Sequence, residues 1–195
     1  MSLISPSDNA AYTGDRYGQP NSALALNQGY MSAPPGVYLN GPFTITVWID
    51  LKSYSPQYAR ILDFGNGANL QNVVFAFNPN TGNINFGVWN DKQQASSCVA
   101  TTYQVPLFTW SHVAVAYNSN NAAYIYANGI LLLSCNMYSN FHLNTKTSNN
   151  YIGRSNWPDE QSAEPGSLLN GVLDELKFYN RVLNLNEISS DMYWY

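Results

Sequence analysis

Apolar residues recur at every second position along Phe43-Thr44-Ile45-Thr46-Val47-Trp48-Ile49-Asp50, with mostly polar residues between them. A two-residue period belongs to a strand with one face on a core, whereas a helix repeats its apolar face every three or four residues. Val73-Val74-Phe75-Ala76-Phe77 and Asn83-Ile84-Asn85-Phe86-Gly87-Val88-Trp89 are β runs separated by the turn-forming Asn78-Pro79-Asn80-Thr81-Gly82, which predicts a hairpin. A second hairpin joins Tyr124–Ala127 to Ile130–Leu133 through Asn128-Gly129, a dipeptide suited to the positive φ angles of a type I′ turn. Trp110 to Tyr117 reads as one more long strand. The helix signal is confined to Asn184-Leu185-Asn186-Glu187-Ile188, where Asn184 can cap the first turn and Glu187 can reach back to it.

About ten short strands with no internal repeat favour a two-sheet antiparallel β-sandwich or jelly roll over a propeller, closed by one short C-terminal helix. The 195 residues contain no long linker or charged block, so residues 1–195 are expected to form a single domain. Charged residues make up 10% of the chain, against roughly 25% in ordinary soluble domains, and Tyr, Asn, Ser and Thr supply the polarity. A net charge of -4 with four Lys and four Arg leaves no basic stripe for nucleic acid or anionic lipid. No apolar run approaches the ~20 residues of a membrane-spanning helix. Met1-Ser2-Leu3-Ile4 does not read as a signal peptide, and no Asn-x-Ser/Thr sequon bears on secretion.

Alternation through Leu169–Tyr179 would place Asp174 on the same face as Val172, Leu176 and Phe178, an acid where the pattern wants an apolar side chain. Such a carboxylate needs a cation or several hydrogen bonds. It is either a ligand to calcium, with Asp15 or Asn21 of the opening loop supplying further oxygens, or a structural tie to an arginine or to backbone N–H groups; Arg16 in that loop bears on the choice. Cys98 and Cys135 lie in strand-like runs and are either bridged, closing a loop worth ~3–4 kcal/mol, or two buried thiols.

Five segments in order, Phe43–Trp48, Trp110–Val115, Tyr126-Ala127-Asn128-Gly129, Tyr151-Ile152-Gly153-Arg154-Ser155 and Leu173–Arg181, resemble the laminin G-like jelly rolls of the concanavalin A-like lectin and glucanase superfamily. The resemblance covers roughly residues 12–190 and implies two curved antiparallel sheets facing one another. It also implies an extracellular or cell-surface recognition module for glycans or glycoproteins, in many members with calcium, although the fold supports glycan-cleaving enzymes too.

Glycan hydrolysis needs a pair of carboxylates about 5 Å apart or somewhat further. The chain has four glutamates, Glu160, Glu164, Glu175 and Glu187, and none sits in the Glu-x-Asp-x-Glu-like spacing of the superfamily's glucanases. His112 and His142 accompany no nucleophile or metal spacing, so the chain reads as non-catalytic. A sugar site needs an aromatic platform with amides nearby. Arg154-Ser155-Asn156-Trp157-Pro158-Asp159 offers one, with Trp157 the leading exposed aromatic and Tyr54 and Tyr58 in another loop; Trp48, Trp89 and Trp110 are expected in the core. Asp63, Asn66, Asn69 and Asn72 form either a rim site for calcium or sugar hydroxyls or a turn whose amides bond their own backbone. The expected partner is a glycan or glycoprotein. A protein-only adhesion module and a structural accessory domain of a larger protein are the alternatives.

Overall fold

The computed structural model describes residues 9–90, 95–137, 146–157 and 168–193. Its strands, numbered β1 to β13 in chain order, form two antiparallel sheets. The seven-stranded sheet runs β1 (Ala10–Thr13), β2 (Ala23–Asn27), β13 (Asn170–Tyr179), β4 (Phe43–Leu51), β9 (Ser111–Tyr117), β10 (Ala122–Ala127) and β11 (Ile130–Asn136). The six-stranded sheet runs β3 (Met31–Ala33), β12 (Asn149–Ile152), β5 (Ala59–Gly65), β6 (Val73–Phe77), β7 (Asn83–Trp89) and β8 (Ala95–Gln104).

The core lies between the sheets. Ile45, Val47 and Ile49 of β4 are fully buried and belong to one apolar cluster with Phe75 of β6, Ile84 and Phe86 of β7 and Val113 and Val115 of β9. Phe43 meets Phe86 across the gap at 6.1 Å, and Phe64 stacks on Phe178 at 5.7 Å. Both hairpins form as read, and Asn128 and Gly129 take φ angles of 48° and 77°.

A short helix, α1 (Leu185–Asp191), packs on the outer face of the seven-stranded sheet, where Ile188 and Leu183 join Ala114, Ala116 and Tyr126 in a second apolar cluster. Asn184 and Glu187 close the expected capping box. Thr44 fixes the approach to it, its hydroxyl donating to Arg181 O at 2.8 Å and accepting from Leu183 N at 2.9 Å.

Asp174 and three tryptophans sit elsewhere than the sequence reading places them. β13 pairs with β4 through Leu173–Ile49 and Asp174–Trp48, then through Lys177–Thr46 and Phe178–Ile45. Glu175 and Leu176 together therefore face Val47, a β-bulge with Glu175 at φ 50°. One extra residue inverts the facing of everything beyond it. Asp174 accordingly does not share a face with Leu176 and Phe178: it looks outward beside Trp48, while they pack against the core. Trp48 and Trp89 also leave the core for the two outer faces, and Trp110 precedes β9 half-buried. Each Trp of β4 and β7 has the opposite parity to its core-facing neighbours Val47 and Val88.

Candidate functional site

On the outer face of the seven-stranded sheet, Arg16 from the β1–β2 loop reaches Asp174. Its Nη1 lies 2.5 Å from Asp174 Oδ2 and its Nη2 lies 3.0 Å from Glu175 Oε2. The guanidinium also lies 4.4 Å from the Tyr17 ring centre and 5.0 Å from that of Trp48. Asp15 does not join Asp174; its Oδ1 accepts from the backbone N–H groups of Tyr17 and Gln19, each at 2.8 Å, which shapes the loop that delivers Arg16. Asn21 is exposed at φ 58°. The set Asp174, Asp15 and Asn21 does not fit a calcium ion, because a guanidinium already holds the carboxylate and the second acid is turned onto its own backbone. Among the described residues no three His, Cys, Asp or Glu side chains gather in a way that could hold a metal.

Further along that face, Asp191 of α1 takes a hydrogen bond from the Tyr179 hydroxyl, lies 3.1 Å from Lys177 Nζ and lies 3.3 Å from His112 Nε2. Burial opposes its ionisation, but hydrogen bonds led by those from His112 and Tyr179 prevail and hold its carboxyl well below the usual range. Burial and the same carboxylate push the Tyr179 hydroxyl upward. A groove of about 580 Å³ beside α1 is lined by Lys177, Tyr179, Arg181, Asn184, Glu187 and Asp191. Its charges pair internally, Lys177 with Asp191 and Arg181 with Glu187 at 2.7 Å, which leaves little for a ligand.

The outer face of the six-stranded sheet holds the aromatic assembly. Asp63 of β5 has no exposed surface and binds the loop after β12. It accepts from the Asn156 backbone N–H at 2.9 Å, from Asn156 Nδ2 at 2.9 Å and from Asn72 Nδ2 at 2.9 Å, with Arg60 Nε 3.7 Å away. Desolvation raises its pKa, and Arg60 and these donors offset part of the rise. Asn156 is buried as well, its Nδ2 also reaching Asn149 O at 2.9 Å, so it positions the loop rather than facing solvent.

Held in this way, Trp157 is half-buried and meets Trp89 edge to face at 5.0 Å. Gly87 makes room for the Trp89 indole, since a Cβ there would stand 2.7 Å from the ring. Arg60 reaches over Trp157 at 5.5 Å and over the exposed Tyr58 at 5.3 Å. Arg154 lies against Tyr30 and Tyr151.

The structure thus gathers Trp157, Asn156 and Tyr58 about Arg60 and Asp63, while Arg154 rests apart on Tyr30 and Tyr151. Tyr54 is elsewhere, packed on the core near Gly82 with its hydroxyl donating to Val105 O at 2.9 Å. The rim reading of Asp63, Asn66, Asn69 and Asn72 fails for its two buried members. Asn72 accepts from Leu70 N at 2.8 Å, Asn66 accepts from Ser148 N at 3.0 Å, and Asn69 sits at φ 60° in the turn. Arg60, Trp89, Tyr30 and Tyr151 escaped the sequence reading, because alternation alone does not tell an outer face from a core face. Pro158, Asp159, Glu160, Glu164 and His142 lie outside the described residues.

Cys98 of β8 and Cys135 of β11 form a disulfide with Cα atoms 6.6 Å apart, joining the edges of the two sheets.

Residues 26–189 match the family Laminin_G_3 of the concanavalin A-like lectin/glucanases superfamily. The chain belongs to this family. Solved structures similar to this laminin G-like chain include domain 4 of an extracellular arabinanase from Geobacillus stearothermophilus, in complex with arabinotriose. That match has a TM-score of 0.71 and 18% identity over 97% of this chain and 86% of the other. A carbohydrate-binding module of a Ruminococcus gnavus sialidase, bound to α2,3-sialyllactose, has a TM-score of 0.65 and 17% identity over 83% of this chain and 95% of the other. The binding domain of Paraclostridial Mosquitocidal Protein 1 has a TM-score of 0.73 and 14% identity over 97% of this chain, which spans 46% of it. At these identities the likeness is one of fold. No curated protein matches the sequence. Among the described residues no helix is long and apolar enough to cross a membrane.

Proposed function

We propose that this chain is a non-catalytic recognition module, one folding unit over residues 1–195, that binds glycan or glycoprotein on the outer face of its six-stranded sheet. The observation that carries the reading is the Trp157–Trp89 pair, partly open to solvent and held by Asp63 through a buried loop anchor. Such rings stack on the C–H faces of sugars, while nearby amides and guanidinium groups serve hydroxyls. Two structural neighbours, the arabinanase domain and the sialidase module, were solved with oligosaccharides, which supports the class of ligand. The buried acids favour binding over hydrolysis: Asp63, Asp174 and Asp191 are each committed to cations or hydrogen-bond donors. The disulfide supports an extracellular or cell-surface setting.

A glycan array tests the reading, followed by titration of Trp157→Ala. Binding should weaken about tenfold or more with the fold intact; unchanged binding would remove this loop from the site. A protein partner is the second reading, favoured by Ile130 and Leu131, adjacent at the β10–β11 turn and 65% and 45% exposed. Capture of a partner unaffected by deglycosylation supports it.

A further inference from the structure

We propose that this site selects acidic sugars, carrying a carboxylate or a sulfate ester, through Arg154. The inference rests on the glycan reading above and adds the charge of the ligand.

Arg154 is placed by its neighbour. Gly153 takes φ 87°, and a Cβ on it would stand 2.7 Å from Gly29 O and from Leu26 Cδ1 and 3.4 Å from Tyr30 Cα. Only glycine lets the end of β12 close on the Gly29–Tyr30 backbone. The close approach brings the Tyr30 ring to 4.6 Å from Arg154 Cζ, with Tyr151 at 5.1 Å and the two rings 87° apart. Two aromatic rings thereby hold the guanidinium, which is half-buried.

Among the described residues its N–H donors remain uncommitted. The other three arginines have acidic partners: Arg16 holds Asp174 and Glu175, Arg60 reaches Asp63, and Arg181 holds Glu187. Among the described residues no acceptor meets Arg154, whose contacts are the two rings. A pre-oriented guanidinium presents a planar fork that matches a carboxylate or sulfate, and partial burial strengthens such a bond.

Tyr151 pairs with Asp63 and Ile152 with Leu62, and Gly153 N donates to Ile61 O at 3.1 Å, which ties the end of β12 that carries Arg154 to β5. Trp157, three residues on, supplies the platform for the sugar ring. A site with so few cations, on a chain of net charge -4, suits one anionic sugar within a glycan rather than a polyanion.

Calorimetric titration of the whole chain with a uronic acid-terminated oligosaccharide, its carboxyl-reduced neutral counterpart and a sulfated counterpart tests the proposal. Wild type should bind at least one acidic sugar about tenfold tighter than the neutral one, with the margin shrinking as salt rises. Arg154→Gln should abolish the margin by weakening acidic binding far more than neutral binding, and Arg154→Lys should restore only part of it; melting curves of both variants confirm folding. Which acidic sugar binds identifies the anion. Equal binding of all three, or a preference that survives Arg154→Gln, overturns the acidic-sugar inference and leaves the glycan reading standing. Binding of none overturns both.

Discussion

Arg16 Nη1 lies 2.5 Å from Asp174 Oδ2, in an ion pair whose side chains keep only 6% and 4% of their exposure. The pair ties the β1–β2 loop to the bulge of β13, and the same guanidinium rests on Trp48. A positive group thereby satisfies the carboxylate without exposing it, the arginine tie that the sequence offers as the alternative to calcium.

Removing one partner of a buried pair leaves the other charged and unsolvated. Arg16→Gln should therefore destabilise the fold by about 3–5 kcal/mol in urea unfolding, and adding Asp174→Asn should recover much of that. Strictly additive losses would show that the two side chains do not interact.

Metal-stripped protein should melt at the same temperature with and without millimolar calcium. A folded state that bound the ion would gain stability by mass action, so a clear rise in Tm would reveal a site that the arrangement of Asp15, Asn21 and Asp174 does not provide.

Asp63 accepts from three donors, two of them on Asn156. Asp63→Ala orphans the Asn156 backbone N–H and Asn72 Nδ2, while Asn156 Nδ2 keeps Asn149 O, and should cost about 2 kcal/mol or more, since each buried unpaired group costs ~1–3 kcal/mol. The Trp157 loop should loosen with it, giving altered tryptophan fluorescence and weakened glycan binding. Full stability with unchanged emission would deny Asp63 its anchoring role.

The disulfide joins residues 37 apart in sequence and ties β8 to β11. Reduction, or Cys135→Ser, should lower stability by about 3–4 kcal/mol, and reductant should shift electrophoretic mobility. Identical mobility with and without reductant would argue against the bond.

Asp191 is held below the usual carboxylate range in the folded state. A depressed pKa contributes stability above the unfolded value, near 3.9, that is lost as pH falls through that value towards the folded one. The acid limb of the stability curve should therefore flatten in Asp191→Asn. An equally steep limb would assign acid sensitivity to other groups.

The alternation of β4, the Asn128-Gly129 turn and the Asn184–Glu187 capping box were legible because each depends on neighbours in sequence. The loop carrying Trp157 was legible for a similar reason, as aromatic, amide and basic residues lie side by side there. Its anchoring was not: Asp63 and Asn156 are 93 residues apart, and the oxygen-rich stretch around Asp63 reads as a rim site or a turn because local pattern does not give the burial of its side chains.

Local pattern by itself determined the class of fold, the strands and turns, and the presence of a buried-acid problem at Asp174. Tertiary structure decided its solution. A single bulge at Glu175 inverts the facing of β13, sending Asp174 outward to Arg16 and turning Leu176 and Phe178 toward the core. The assembly of Trp157, Trp89 and Arg60 was likewise decided there, because strand register brings together residues that no spacing in the chain relates.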